Sequence, residues 1–168
     1  MKKIRLDEIA IHPRLRQRYE LHSFRQRQGD VPKIDRDKYV ASQVLRPVHL
    51  IKKDTNSYWL ISGFPELIYL KQIDQKSAWA IIHTQLDETD SVQMSWVSEV
   101  IELLQAPHRK SGLKELYEVL DLASPREYRD LIVGTRKREL LPIVEYLTCE
   151  GRNVVRTQVK GNSNTKDT

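Results

Sequence analysis

Four groups of residues in this sequence have types and spacings that could do chemistry. Asp87, Glu88 and Asp90 offer carboxylates of the kind with which a nuclease holds a divalent ion against a phosphate. A predicted helix begins at their C-terminal side, however, and acidic residues at a helix start cap it and complement its dipole. Capping is the reading preferred here. Gly63-Phe64-Pro65-Glu66 closes a predicted strand and opens a predicted helix, the place where backbone N–H groups meet anions. The five histidines, at 12, 22, 49, 83 and 108, show no helical metal spacing, and His49 and His83, on predicted strands, read as structural or surface residues. The arginines form the fourth group, which suits a polyanion.

No phosphate-loop, nucleophile-elbow, zinc-protease or paired-glycine fingerprint occurs. No catalytic residue and no metal ligand is therefore assigned. The single cysteine, Cys149, excludes an intramolecular disulfide framework and a cysteine-based zinc site. It is expected to be a small core residue at a helix end. Charge interrupts the first residues, so no secretory signal is expected, and no apolar run approaches the roughly 18 residues of a membrane span. A cytoplasmic location and no membrane partner are the expectations.

The 168 residues carry a formal charge of +5, but its distribution says more than its total. Residues 1–38 hold eleven basic and six acidic groups, residues 39–106 five and eight, and residues 107–168 twelve and nine. A basic arm and basic helices thus flank an acidic middle. Arg14, Arg16 and Arg18 lie in the first region, and Arg109, Lys110, Arg126, Arg129, Arg136, Lys137 and Arg138 in the last. These ten are the candidate nucleic-acid contacts, since two separated basic clusters favour a polyanion surface.

The elements that must position these groups follow from punctuation and periodicity. Residues 12–34, with Pro13, Gly29 and Pro32, predict an irregular arm holding at most a helical turn. Asp35 caps a predicted short helix from Arg36 to about Val44. Residues 47–51 and 58–61 predict a hairpin, and residues 78–86 a third strand. Pro65 is expected at the first position of a helix that buries Leu67, Ile68, Leu70 and Ile73. Val92, Trp96, Val100 and Leu104, four apart, predict a helix over 91–106.

Further helices are expected at 112–122, from the capping box Ser124-Pro125-Arg126-Glu127 to about Gly134, and from the Arg136 cluster to Gly151. The first two, joined at Asp121-Leu122-Ala123-Ser124, have the spacing of a helix-turn-helix, with Arg126 and Arg129 on the second. The predicted organisation is an α+β domain at 1–106, a helical domain at 107–156 and a disordered tail at 157–168.

Three segments resemble the N-terminal domain of ParB-like partition proteins, which shares its fold with sulfiredoxin. Leu6 to Pro13 with Gln17-Arg18 is similar to the family's opening strand and the stretch after it. Ser42 to Leu50 resembles a helix end and the proline leading into a strand. Tyr58-Trp59-Leu60-Ile61-Ser62-Gly63 resembles the strand that delivers the family's glycine-glutamate-arginine-arginine box. The resemblance implies a small mixed sheet with helices, followed by helices that include a helix-turn-helix, and it sets Arg18 at a family arginine position.

In the family, arginines after that glycine hold nucleotide phosphates. Here Phe64-Pro65-Glu66 follows, so a carboxylate stands where a phosphate-binding arginine is expected, and Phe64 replaces the cysteine of sulfiredoxin. The box reads as degenerate. The leading expectation is a ParB-like protein of a bacterial plasmid or mobile element that binds DNA or a DNA-handling complex, without nucleotide hydrolysis or a cofactor. One alternative is a nucleotide-dependent phosphohydrolase or nuclease on the same fold, using CTP or ATP with magnesium. Another is a protein-binding adaptor, with a protein partner or a homodimer.

Overall fold

A computed structural model describes residues 1–28, 35–105, 112–122 and 140–160. The chain divides into two compact units, Met1–Val92 and Gln93–Thr168. The architecture is α+β, as the sequence predicts.

In the first unit five strands form one mixed sheet: β1 (Lys2–Arg5), β2 (Ile9–Ile11), β3 (Val48–Lys52), β4 (Tyr58–Ser62) and β5 (Ser77–His83), in the order β1-β5-β3-β4-β2. β3 and β4 make the expected hairpin, antiparallel, with a register shift between His49 and Leu50. β5 lies parallel to β3 on the hairpin's other side and pairs antiparallel with β1. β2 runs parallel to β4. The third strand ends at His83, short of the expected residue 86. Its next residues, Thr84 to Asp87, form the approach to a helix cap.

Alternation along the strands sorts the residues by face. Val48, Leu50, Leu60, Ala78 and Ala80 are fully buried, on the side where α3 (Phe64–Gln72) packs against β3 and β5. Leu67 and Leu70 of α3 are fully buried too, and burying each such side chain stabilises by about 1.5–3 kcal/mol. The helix therefore docks through its apolar stripe. Its N-cap, Gly63, has φ +85°, a conformation that costs a residue with a side chain. A Cβ there would lie 3.0 Å from the Val48 Cα. Both the turn and the close approach require glycine. The helix begins at Phe64, which makes Pro65 its second residue and not its first; either position tolerates proline, because first-turn N–H groups have no helical partner.

The arm expected to be irregular is instead a helix. His12 caps a 3-10 turn at Pro13–Leu15, and α1 spans Arg16–Gln28. Leu15, Arg18, Tyr19, His22 and Gln26 recur at intervals of three and four, and all are buried or half-buried. The inward stripe is helical in spacing but largely polar in type, so a search for apolar periodicity misses it. α2 (Arg36–Ser42) starts as predicted, the Asp35 carboxylate accepting from the Lys38 N–H at 3.0 Å.

α4 (Glu88–Gln105) begins three residues earlier than expected. Asp87 caps it, accepting from the Asp90 N–H at 2.7 Å, and Val92, Trp96 and Val100 are buried as their spacing predicts. In the second unit α5 (Gly112–Leu122), α6 (Leu140–Thr148) and α7 (Arg152–Lys160) pack on one another. Leu113, Leu116, Val119, Leu120, Ile143, Val144 and Val155 are buried there. α7 corrects the expected tail, since residues 157–160 are helical; Val155 anchors the turn that carries them. Cys149 is exposed rather than in a core. It follows the end of α6 with φ 56°, past the stripe that packs.

The first helix of the expected helix-turn-helix is present as α5. Its partner, with the capping box at 124–127 and the helix to about Gly134, lies outside the described residues, as does the sequence from 161 onward.

Candidate functional site

α1 positions its side chains against the start of α3, where the box lies. Phe64 is 1% exposed, and three residues of α1 enclose its ring. The Arg18 guanidinium lies 4.7 Å from the ring centroid. His22 stacks on the ring at 5.9 Å with 9° between planes, and Tyr19 meets it edge-on at 6.3 Å. One turn on, Gln26 Nε2 donates to the Pro65 carbonyl at 3.1 Å. A cation over an aromatic face is attracted by the ring's quadrupole, so Arg18 holds Phe64 rather than facing water.

The electrostatics of this cluster follow from its burial. His22 is pushed down to about 3, first by desolvation and then by the positive charges of Arg18 and Arg25. It is a neutral ring at physiological pH. Glu66, in the first turn of α3, complements the helix dipole. Its charge is also felt by Tyr39 of α2, whose hydroxyl is raised to about 12 by burial first and then by Glu66 and Tyr69. The Tyr39 and Tyr69 rings are 4.1 Å apart. Glu66 thus brings negative charge to the box on the side that α2 covers.

The ten arginines and lysines singled out from the sequence fare differently. Arg14 and Arg16 are exposed at the start of α1. Arg18 is 3% exposed, so it is not on the surface where a backbone phosphate would be met; its guanidinium rests over the Phe64 ring. Arg109, Lys110, Arg126, Arg129, Arg136, Lys137 and Arg138 lie outside the described residues.

The histidines carry contacts that sequence reasoning did not assign. His12 is fully buried, with its Nδ1 accepting from the Arg14 N–H at 3.2 Å. Its Nε2 therefore carries the proton and donates to Glu88 at 2.9 Å. Its ring meets Trp59 edge-on at 5.6 Å. One carboxylate of the acidic triplet is thereby engaged with His12 and another caps α4. Among the described residues no group of three or more histidine, cysteine or carboxylate side chains could hold a metal ion. His49 and His83, on adjacent strands, lie 2.9 Å apart, Nδ1 to Nε2. Burial and the neighbouring His83 lower His49 below the ordinary imidazole range.

Among the described residues no helix is long and apolar enough to cross a membrane. No family model matches the chain. No curated protein matches it either. Solved structures do overlay on it. One is the C-terminally truncated chromosome-partitioning protein ParB from Caulobacter crescentus complexed to the centromeric parS site. It has a TM-score of 0.41 and 10% identity, covering 95% of this chain and 71% of that one. Another is the C-terminally truncated ParB from the same organism complexed with CTP-gamma-S, with a TM-score of 0.39 and 13% identity, covering 98% of this chain and 87% of that one.

Proposed function

We propose that this chain is a DNA-binding or DNA-complex-associated protein whose nucleotide box is closed by its own side chains. The observation that carries the reading is the division among the arginines of α1. Arg18 is turned inward onto Phe64, while Arg14 and Arg16 are exposed. The first is packed away from solvent on a ring at the helix start, and the other two stay where a polyanion can be met. A basic first segment of 38 residues supports the same reading, as does the carboxylate of Glu66 at the box. Arg109, Lys110, Arg126, Arg129, Arg136, Lys137 and Arg138 would add phosphate contacts. A ParB-like role on a plasmid or mobile element, in the cytoplasm and without nucleotide hydrolysis, is the biological setting we infer from the sequence resemblance.

Fluorescence anisotropy with a labelled duplex of about 20 base pairs, titrated at about 50 and 200 mM salt, tests the proposal. Binding is expected at low salt and should weaken steeply at high salt, because each neutralised phosphate releases counterions. Replacing Arg14 and Arg16 together by glutamine should lower the slope of log K against log salt by about 1.8, at roughly 0.9 per contact. Absence of binding at low salt, or binding indifferent to salt, overturns the proposal.

A further inference from the structure

The sheet brings His49 and His83 together in a way that their separation in sequence conceals. In the parallel register of β3 and β5, His49 lies opposite Ile81 and Ile51 opposite His83. The two histidines are therefore diagonal neighbours on one face, the face opposite Val48 and Leu50. His49, Ile81, His83, Trp79 and Trp59 are only half-buried there, so solvent and small solutes reach them. The imidazole centroids are 5.2 Å apart with 18° between planes and the facing nitrogens are 2.9 Å apart, so the rings meet edge to edge.

The same two nitrogens come within reach of one ion once the rings turn. Two imidazole nitrogens bound at about 2.0–2.1 Å to one ion lie about 2.9 Å apart when the bonds are at right angles, and about 3.4 Å apart in a tetrahedron. In the metal-free pair both lone-pair directions run along the line between the nitrogens, so each ring must swing by about 35–45° to aim at a shared ion. We propose that His49 and His83 form a two-histidine site for one imidazole-preferring transition-metal ion, Cu²⁺, Ni²⁺ or Zn²⁺, with water filling the remaining positions.

The proton balance is simple. In the metal-free pair one ring donates its N–H to the other's lone pair. On binding, that proton moves through solvent to the donor ring's other nitrogen. His49 Nδ1 and His83 Nε2 then each give a lone pair to the metal, with no net proton released. Both ligands sit on hydrogen-bonded neighbouring strands, so only the two side chains must reorient when the ion arrives. Because the contact runs between strands, the helical spacing that sequence motifs look for is absent.

The test is a Cu²⁺ titration of the whole chain by calorimetry at about pH 7.5, where unperturbed imidazole is neutral, with pulsed EPR of the loaded protein. One ion per chain and two coordinated imidazole nitrogens are expected. His49→Asn and His83→Asn, each checked for folding by circular dichroism, should lower the affinity at least about 10-fold, the smaller loss typical even of residues behind the ligands. The imidazole count should fall from two to one in either variant. Affinity and imidazole count unaltered in the His49 and His83 variants overturn the proposal, as does failure of the wild-type chain to take up copper.

Discussion

Phe64→Ala is expected to destabilise the protein by about 3–5 kcal/mol, the range for removing a fully buried aromatic side chain from a close-packed site. The ring is the shared partner of Arg18, Tyr19 and His22, so its loss leaves a cavity under α1 and removes the face on which the Arg18 guanidinium rests. Phe64→Leu keeps most of the volume and should cost distinctly less, since the site retains an apolar filling though not a π-face. Urea unfolding of the three proteins measures the difference. A loss below about 1 kcal/mol in the alanine variant would mean that Phe64 is not the post on which α1 rests, because ordinary surface changes stay within about 0.5 kcal/mol.

The second large effect is a dependence on pH. A histidine held down to about 3 when folded binds its proton in the unfolded chain at about 6.5. The unfolded state therefore carries more protons anywhere between these values, and stability falls with falling pH. His22 contributes its full stabilisation above about pH 6.5. The contribution declines below that and is exhausted near pH 3, a total of about 5 kcal/mol at roughly 1.4 kcal/mol per unit. Comparing unfolding free energies of the wild type and His22→Gln isolates this share from that of other groups. The advantage of the wild type should shrink by about 3 kcal/mol from pH 6.5 to 4. An advantage that stays constant over that interval would contradict a buried neutral His22.

The sequence carried some of this architecture in legible form and hid the rest for definable reasons. The β3-β4 hairpin was readable because two β-rich runs flank a polar turn. The start of α3 was readable because Gly63 and Pro65 are strong punctuation, and the start of α2 because Asp35 is a good cap. α1 was not. Its inner stripe uses Arg18, His22 and Gln26, whose burial is favourable only once Phe64 and the Pro65 carbonyl are in place to receive them. Its helicity is a product of tertiary contact.

β1 was equally hidden, since Lys2–Arg5 contains one apolar residue, and its strand state comes from pairing with β5. The same holds for chemistry. Gly63 to Glu66 could be read as a changed box from residue types alone, because charge and size are local properties. That Arg18 closes on it, and that His49 and His83 face each other, depends on helix docking and strand register, which residue spacing does not encode.

Under the proposed function, the space at the start of α3 belongs to Phe64 and not to a nucleotide. Isothermal calorimetry of the full chain with CTP, ATP and ADP, each with and without magnesium, addresses it most directly. No binding at micromolar affinity is expected for any of the three, because Arg18 packs on the buried Phe64 ring and Glu66 brings a carboxylate to the helix start. Micromolar binding of any one of the three nucleotides contradicts that reading.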